Sequence, residues 1–197
     1  MPRIPAENQR IRDERTAQIL RAAAHVFARN GLAATKITDI GDAAGISHGL
    51  VYHYFDSKEE IFRMLITRAL QGTAHLLREA RTRSGTVTER LDWLIRELLE
   101  SAGEGEDQAL LIQHAMISET VPEDVHQLVL REPPKLLAQL SALFREGQET
   151  GEILPGDPDQ LAYFFLSGIQ GIVSGRSLYS AQNSIEPELL LHIFQAR

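Results

Sequence analysis

Apolar residues recur at helical spacing along almost the whole chain, and this periodicity constrains the fold more than any other feature. Side chains three and four positions apart share one face of an α-helix, whereas a half-buried strand alternates polar and apolar residues. No alternating run rich in Val, Ile and Thr lies between turn residues. The sequence therefore predicts an all-α protein.

Turn and capping residues divide this pattern into separate helices. Asn30-Gly31 supplies a left-handed stop for the first helix, and Ser57 with Glu60 and Thr86 with Glu89 have the spacing of capping boxes. We expect Pro133-Pro134 to separate two helices, because proline lacks the amide donor that a helix interior needs. The predicted helices cover about residues 11–29, 37–44, 48–55, 58–83, 87–101, 107–119, 135–150, 159–179 and 187–196, with a short additional helix at about 122–131.

The segment from Thr35 to Phe55 has the pattern of a helix-turn-helix. Two short helices that cross closely need a small residue at the crossing, here Gly41, and a residue that tolerates positive φ at the turn, here Gly45. Apolar residues occupy the flanking positions: Ile40, Ala44, Ile46, Val51 and Tyr54. Two short helices in an ordinary bundle, with the glycines as caps, would also fit this spacing.

The polar residues of this segment favour DNA binding. Those at or near the start and outward face of the second short helix could meet base edges in the major groove: Ser47, His48, Gly49, Tyr52 and His53. Others stand at the starts of helices, where unpaired amides suit phosphate oxygens: Thr35, Lys36, Thr38 and Lys58.

The run from Gly31 to Phe62 resembles the N-terminal signature of TetR-type transcriptional regulators. The similarity rests on Ala-Gly-Ile-Ser at 44–47, Val-Tyr-His-Tyr-Phe at 51–55 and Ser-Lys-Glu-Glu at 57–60, and it extends over about residues 10–66. Resemblance implies a homodimer that binds a palindromic DNA operator, usually as a repressor that a small-molecule effector releases. A constitutive DNA-binding protein without an effector is the alternative.

The resemblance also implies a role for each matching residue. Ser47, His48, Gly49, Leu50 and His53 would face the groove, Tyr52 would contact a phosphate, and Thr35, Lys36 and Lys58 would hold the flanking backbone. Two positions depart from the family pattern. Gly41 stands where alanine is more common, which costs the helix about 1 kcal/mol, and Leu50 replaces a small polar residue, which suggests an apolar contact with a thymine methyl group.

The organisation that follows is a helix-turn-helix DNA-binding domain at 1–56 and a helical effector-binding and dimerisation domain at 57–197. If the second domain holds a ligand, its bulky residues and one histidine are candidates for lining the pocket, although ordinary core is the more common role for such bulky residues, and a surface or satisfied core position for such a histidine. These candidates are Trp93, His114, Met116, Tyr163, Phe164 and Phe165.

Three glycines in the predicted helix at 159–179 indicate close approach of another helix. Gly168, Gly171 and Gly175 share one face, and each costs a helix about 1 kcal/mol unless packing compensates for it. We predict a four-helix dimer interface formed by this helix and the last one, although packing within one chain or a kink would also explain the glycines. The predicted interface residues are Leu161, Gly168, Gly171, Ile172, Gly175, Leu189 and Ile193.

Several other classes find no support in the sequence. The chain has no cysteine, and it has no HExxH motif, phosphate-binding glycine loop or nucleophile elbow, so we expect no catalytic site, no metal site and no cofactor. We find no secretory signal and no apolar run of about 20 residues, so the expected location is the cytoplasm, with no membrane partner.

The net charge of -7 at first disfavours a DNA partner, because phosphate binding needs cations. The charges are unevenly distributed, however. Residues 1–60 carry 8 Lys+Arg and 8 Asp+Glu, so the remaining 12 and 19 place all of the excess acidity in the C-terminal part. The N-terminal part is therefore the one whose charge suits DNA.

Overall fold

The structure, a computed structural model, describes residues 5–101, 106–178 and 185–196. These residues form helices and no strand, which confirms the all-α prediction. The helices are α1 (Pro5–Ala34), α2 (Ile37–Ala44), α3 (His48–Tyr54), α4 (Lys58–Thr82), α5 (Val87–Ser101), α6 (Glu106–Ile117), α7 (Glu123–Glu149), α8 (Pro158–Leu178) and α9 (Pro187–His192).

Side-chain caps fix the starts of α4 and α5, much as predicted. The Thr86 hydroxyl accepts the Glu89 amide at 3.1 Å, and the Glu89 carboxylate accepts the Thr86 amide at 2.9 Å, which completes a capping box. At α4 the Ser57 hydroxyl accepts the Glu60 amide at 3.1 Å. The Glu60 carboxylate, however, accepts the amide of Asp56 and not that of Ser57, at 2.7 Å.

Helix α1 is longer than predicted. Gly31 interrupts it as expected, with φ 71° and ψ 168°, but helical backbone continues on both sides of the break and starts at Pro5. The upstream turns are exposed and are stabilised by side-chain pairs four residues apart, such as Gln9 with Asp13 at 2.8 Å and Arg10 with Glu14 at 2.6 Å. Hydrophobic periodicity could not reveal turns that bury no apolar face.

Helix α7 corrects the prediction that Pro133 and Pro134 end a helix. Both prolines lie inside one continuous helix. They remove two amide donors, but Val129 before them and Leu136 after them are both buried in the same core. Packing on both sides of the prolines therefore outweighs the lost hydrogen bonds.

Helix α9 ends earlier than expected, because the chain after it pairs with the turn between α7 and α8. Ile153 and Gln195 form an isolated antiparallel bridge. The Leu154 amide donates to the Phe194 carbonyl and the Ala196 amide to the Glu152 carbonyl, both at 2.9 Å. These bonds replace the last helical turn and tie the C-terminal segment to the end of α7.

One continuous hydrophobic core runs from Ile19 in α1 to Phe194 after α9. Helix α4 joins the two ends of this core. Near the start of α4, the ring of Phe62 packs edge-to-face on that of Phe27 of α1, with 5.3 Å between the ring centres. Near the end of α4, Leu77 is buried in the same core, with 1% of its surface exposed. The helix-turn-helix is therefore built directly onto the helix that enters the larger domain. The boundary after residue 56 stays a prediction.

Candidate nucleic-acid interface

The crossing of α2 and α3 depends on Gly41 and Gly45. A Cβ atom at Gly41 would lie 3.0 Å from the Ile46 carbonyl oxygen and 3.4 Å from the His48 amide nitrogen, so the two backbones leave little room for a side chain. Gly45 adopts φ 67° and ψ 32°, and the Ile46 amide donates to the Gly41 carbonyl at 3.0 Å. The left-handed turn and close crossing predicted from the sequence are both present.

The inward face of this unit is apolar, which fixes α3 with its other side outward. Ile40 and Val51 are fully buried, and Ile46 and Tyr54 are partly buried. The Gln18 side-chain amide of α1 donates to the Ala44 carbonyl at 2.7 Å and so fixes the end of α2.

The outward face of α3 carries polar side chains that base edges and phosphates can meet. Ser47 is the N-cap, and its hydroxyl accepts the Leu50 amide at 3.2 Å. His48, Gly49, Tyr52 and His53 are exposed, whereas Leu50 is half-buried. Imidazole and phenol groups can both donate and accept hydrogen bonds, so this face can read base edges.

Two of the predicted flanking contacts are also accessible. Lys36 and Thr38 at the start of α2 are exposed. The backbone amide of Lys36 is capped by the Asp39 carboxylate at 2.8 Å, and its ammonium group has no hydrogen-bond partner within the described residues. Lys36 can therefore reach a phosphate beside the groove.

Thr35 and Lys58 are corrections to the predicted contact set. Thr35 is 1% exposed, and its hydroxyl donates to the Gly31 carbonyl at 2.7 Å. The Lys58 ammonium donates to the carbonyls of Leu32, Ala33 and Thr35 at 2.8, 3.1 and 2.8 Å. Three hydrogen bonds occupy all three donors of an ammonium group, so both side chains hold the fold together and neither is free for phosphate.

Three of the residues predicted to line a ligand pocket have other environments. Phe165 is fully buried, with its ring 5.9 Å from that of Phe144. Met116 is 52% exposed at the end of α6. Trp93 is half-buried beneath the Arg83 guanidinium, which lies 4.7 Å from the centre of its ring. These three side chains therefore lie in three different environments.

His114 lies near a cavity, whereas the other two pocket candidates lie at the surface. A cavity of about 510 Å³ between the end of α1 and the end of α6 is lined by His114, among others. The His114 Nδ1 atom is buried and has no hydrogen-bond partner among the residues that the structure describes. Tyr163 and Phe164 are 65% and 53% exposed on α8.

The residues predicted for the dimer interface have three kinds of surroundings. A Cβ atom at Gly168 would lie 3.4 Å from the Leu190 side chain of the same chain, an ordinary contact distance, so this part of α8 faces α9 of its own protomer. A Cβ atom at Gly171 would have no heavy atom of the described residues within 4 Å outside its own helix backbone, and Leu189 and Ile193 are 60% and 48% exposed. The remaining three are half-buried: Leu161, Ile172 and Gly175.

Neither a membrane-spanning helix nor a cluster of metal ligands occurs in the described part of the chain. Within residues 5–101, 106–178 and 185–196, no helix combines the length and the apolar character needed to cross a bilayer. The same residues contain no group of three or more His, Asp or Glu side chains placed to hold a metal ion.

Comparisons with known proteins agree with this geometry. Residues 19–65 match the sequence model of the bacterial regulatory proteins of the TetR family. The HTH-type transcriptional repressor KstR2 of Rhodococcus jostii is 33% identical over 142 residues, which cover 72% of this chain and 65% of that repressor.

Solved structures extend the similarity over nearly the whole chain. The ketosteroid transcriptional regulator KstR2 of Mycobacterium tuberculosis has a TM-score of 0.75 at 23% identity, over 93% of this chain and 96% of that one. AibR, solved in complex with isovaleryl coenzyme A and operator DNA, has a TM-score of 0.69 at 18% identity, over 90% and 94%. With the family match on the helix-turn-helix, the chain belongs to the TetR family of transcriptional regulators.

Proposed function

We propose that the protein is a homodimeric repressor that binds a palindromic operator and is released by a small-molecule effector. The observation that carries the DNA-binding part is the exposed polar face of α3, where His48, Tyr52 and His53 lie on a capped helix whose other face is fixed in the core. Since the operator would lie on the chromosome, we expect the protein to act in the cytoplasm.

An exposed apolar face supports the dimer. Tyr163, Phe164, Leu189 and Ile193 are large apolar residues with about half or more of their surface exposed, and the Phe164 ring lies 5.8 Å from that of Phe194 beyond α9. Such a face on a soluble chain favours association. A two-fold axis through α8 and α9 would bury it and would present two copies of α3 to one operator.

The effector part is supported by contacts that link α6 and α7 to the helices beside the helix-turn-helix, and by a similar structure. His25 of α1 lies 3.4 Å from Asp107 of α6, and Arg63 of α4 lies 2.5 Å from Asp124 of α7. A ligand that moves α6 or α7 would therefore also move α1 and α4, the helices that flank the helix-turn-helix. AibR, which has the same fold, was solved with both a small molecule and operator DNA.

Selection of bound duplexes from a random DNA pool tests the proposal. We expect a palindrome whose half-sites are about 34–36 Å apart, or a multiple of that spacing. Compounds that raise the melting temperature of the protein should then be tested for release of the selected operator. Enrichment of no palindrome would contradict the proposal, and an operator complex that responds to no stabilising compound would contradict its effector part.

A pair of variants separates base reading from phosphate binding. His48→Ala should change the selected base at one position of each half-site, because His48 is at the exposed start of α3. Lys36→Ala should weaken binding to all sequences and lower the salt dependence of log K by about one unit. If both variants have the same effect on sequence preference, these assignments are wrong.

A further inference from the structure

The first turns of α1 extend beyond the hydrophobic core. From Glu7 onward, the first buried residue of this helix is Ile19, and residues 7–15 are exposed apart from the half-buried Ile11. A short helical segment that buries so little is marginally stable by itself. We name residues 5–18 of α1 the N-terminal extension.

The N-terminal extension lies against the helix-turn-helix. Its Gln18 side chain donates to the Ala44 carbonyl at the end of α2 at 2.7 Å. One and a half turns earlier, the Arg12 guanidinium lies 6.0 Å from the centre of the Tyr54 ring at the end of α3. Both contacts place the extension beside the helices that carry the proposed groove-facing residues.

The charges of the extension are separated by face. At about 100° per residue, Arg12 and Arg15 lie on one side of the helix, whereas Asp13 and Glu14 lie on the other. Arg10 is paired with Glu14 at 2.6 Å. Arg15 donates only to the neutral Gln18 at 2.7 Å, and Arg12 has no carboxylate partner within the described residues, so both retain an uncompensated positive charge.

We propose that Arg12 and Arg15 bind DNA phosphates next to those contacted by the helix-turn-helix, and that the N-terminal extension enlarges the DNA footprint. Exposed guanidinium groups without a carboxylate partner, placed beside α3, suit the phosphate backbone of DNA. Contacts with phosphates carry no sequence information, but they fix the orientation of the protein on the duplex. This inference rests on the proposed function, because it adds contacts to the same complex.

Binding of the selected operator at several salt concentrations tests the inference. The variants are Arg12→Ala, Arg15→Ala and the double variant, and the control is Arg145→Ala, which removes the same charge from an exposed position in α7. Each single variant should lose about tenfold in affinity, and the double variant should lower the slope of log K against log salt by about 1.8. Arg145→Ala should keep the wild-type slope.

Two further measurements make the result specific. The Arg12→Lys and Arg15→Lys variants should restore the slope, and hydroxyl-radical footprinting should show fewer protected phosphates with the double alanine variant than with the wild type. A double variant with the wild-type slope, whatever its affinity, overturns the inference, because the arginines would then act only on the fold of α1. If the wild type selects no operator from the random pool, the proposed function itself is wrong, and the inference fails with it.

Discussion

The Nζ atom of Lys58 lies 2.8 Å from the backbone carbonyl oxygen of Thr35, and it holds two further carbonyls of the segment that follows Gly31. A cation at the end of a helix stabilises carbonyls that have no partner in the helix. The first residue of α4 is thereby joined to the connection between α1 and α2. This joint sets the position of the helix-turn-helix on the helix that enters the larger domain.

Replacing this lysine should destabilise the protein. Lys58→Met leaves the three carbonyls without their donor, and we expect the free energy of unfolding in urea to fall by about 1–3 kcal/mol. Lys135→Met, at a side chain 64% exposed and paired with Glu132, is the control and should change little. The salt dependence of operator binding should not change, and a slope lowered by about one unit would show that Lys58 contacts phosphate after all.

A second prediction follows from the close crossing of α2 and α3 at Gly41. Gly41→Val should lower the free energy of unfolding by about 1–3 kcal/mol, because its Cβ would meet backbone atoms of Ile46 and His48 that cannot move aside independently. Gly72→Ala, in α4 with open space around its Cβ, should instead raise it by about 1 kcal/mol. Urea unfolding of both variants measures the contrast, and a Gly41→Val variant as stable as the wild type would contradict a tight crossing.

The proposed dimer can be tested at Gly171. The Cβ atom of Gly171→Leu would meet no heavy atom of the described residues within 4 Å outside its own helix backbone, so the variant should fold with an unchanged melting temperature. Its large side chain should nevertheless hinder the α8 and α9 face from pairing. Sedimentation should then detect a larger fraction of monomer. Gly72→Leu is the matched control, because that glycine is also helical, exposed and in open space. An unchanged dimer would remove Gly171 from the interface.

The free energy of unfolding should depend on pH because of Glu152. Burial raises the pKa of Glu152. Hydrogen bonds from the Thr88 amide and the Thr150 hydroxyl, both at 2.9 Å, together lower it by more, so the folded pKa lies below the ordinary 4.5. A carboxylate with a lowered folded pKa contributes stability above pH 4.5 and loses it as the pH falls through the folded pKa.

The matching variant is Glu152→Gln. It should be less stable than the wild type by about 1 kcal/mol at pH 7, because the amide keeps one acceptor oxygen and its NH2 group cannot accept the second hydrogen bond. The difference in melting temperature between the two proteins should shrink as the pH falls below about 4.5. A difference that stays constant with pH would show that the charge of Glu152 does not contribute.

Local chemistry explains where the sequence predicted the structure well. Gly41, Gly45 and Ser47 have roles defined within a few residues, and α2 and the start of α3 lie where the pattern placed them. The Thr86 and Glu89 capping box is equally local. The predictions for Thr35 and Lys58 were wrong, because both sit at helix starts and yet are used by groups that the tertiary fold brings to them.

The sequence by itself determined the helical class, the helix-turn-helix and the exposed face of α3, because helical periodicity, positive φ and N-capping all operate over a few residues. Only the tertiary structure decided the rest. It carried α7 through two prolines, buried Phe165, exposed Tyr163, and set Arg12 beside Tyr54. Each of these results depends on which distant helix lies opposite, and the spacing of residues along one helix carries no information about that partner.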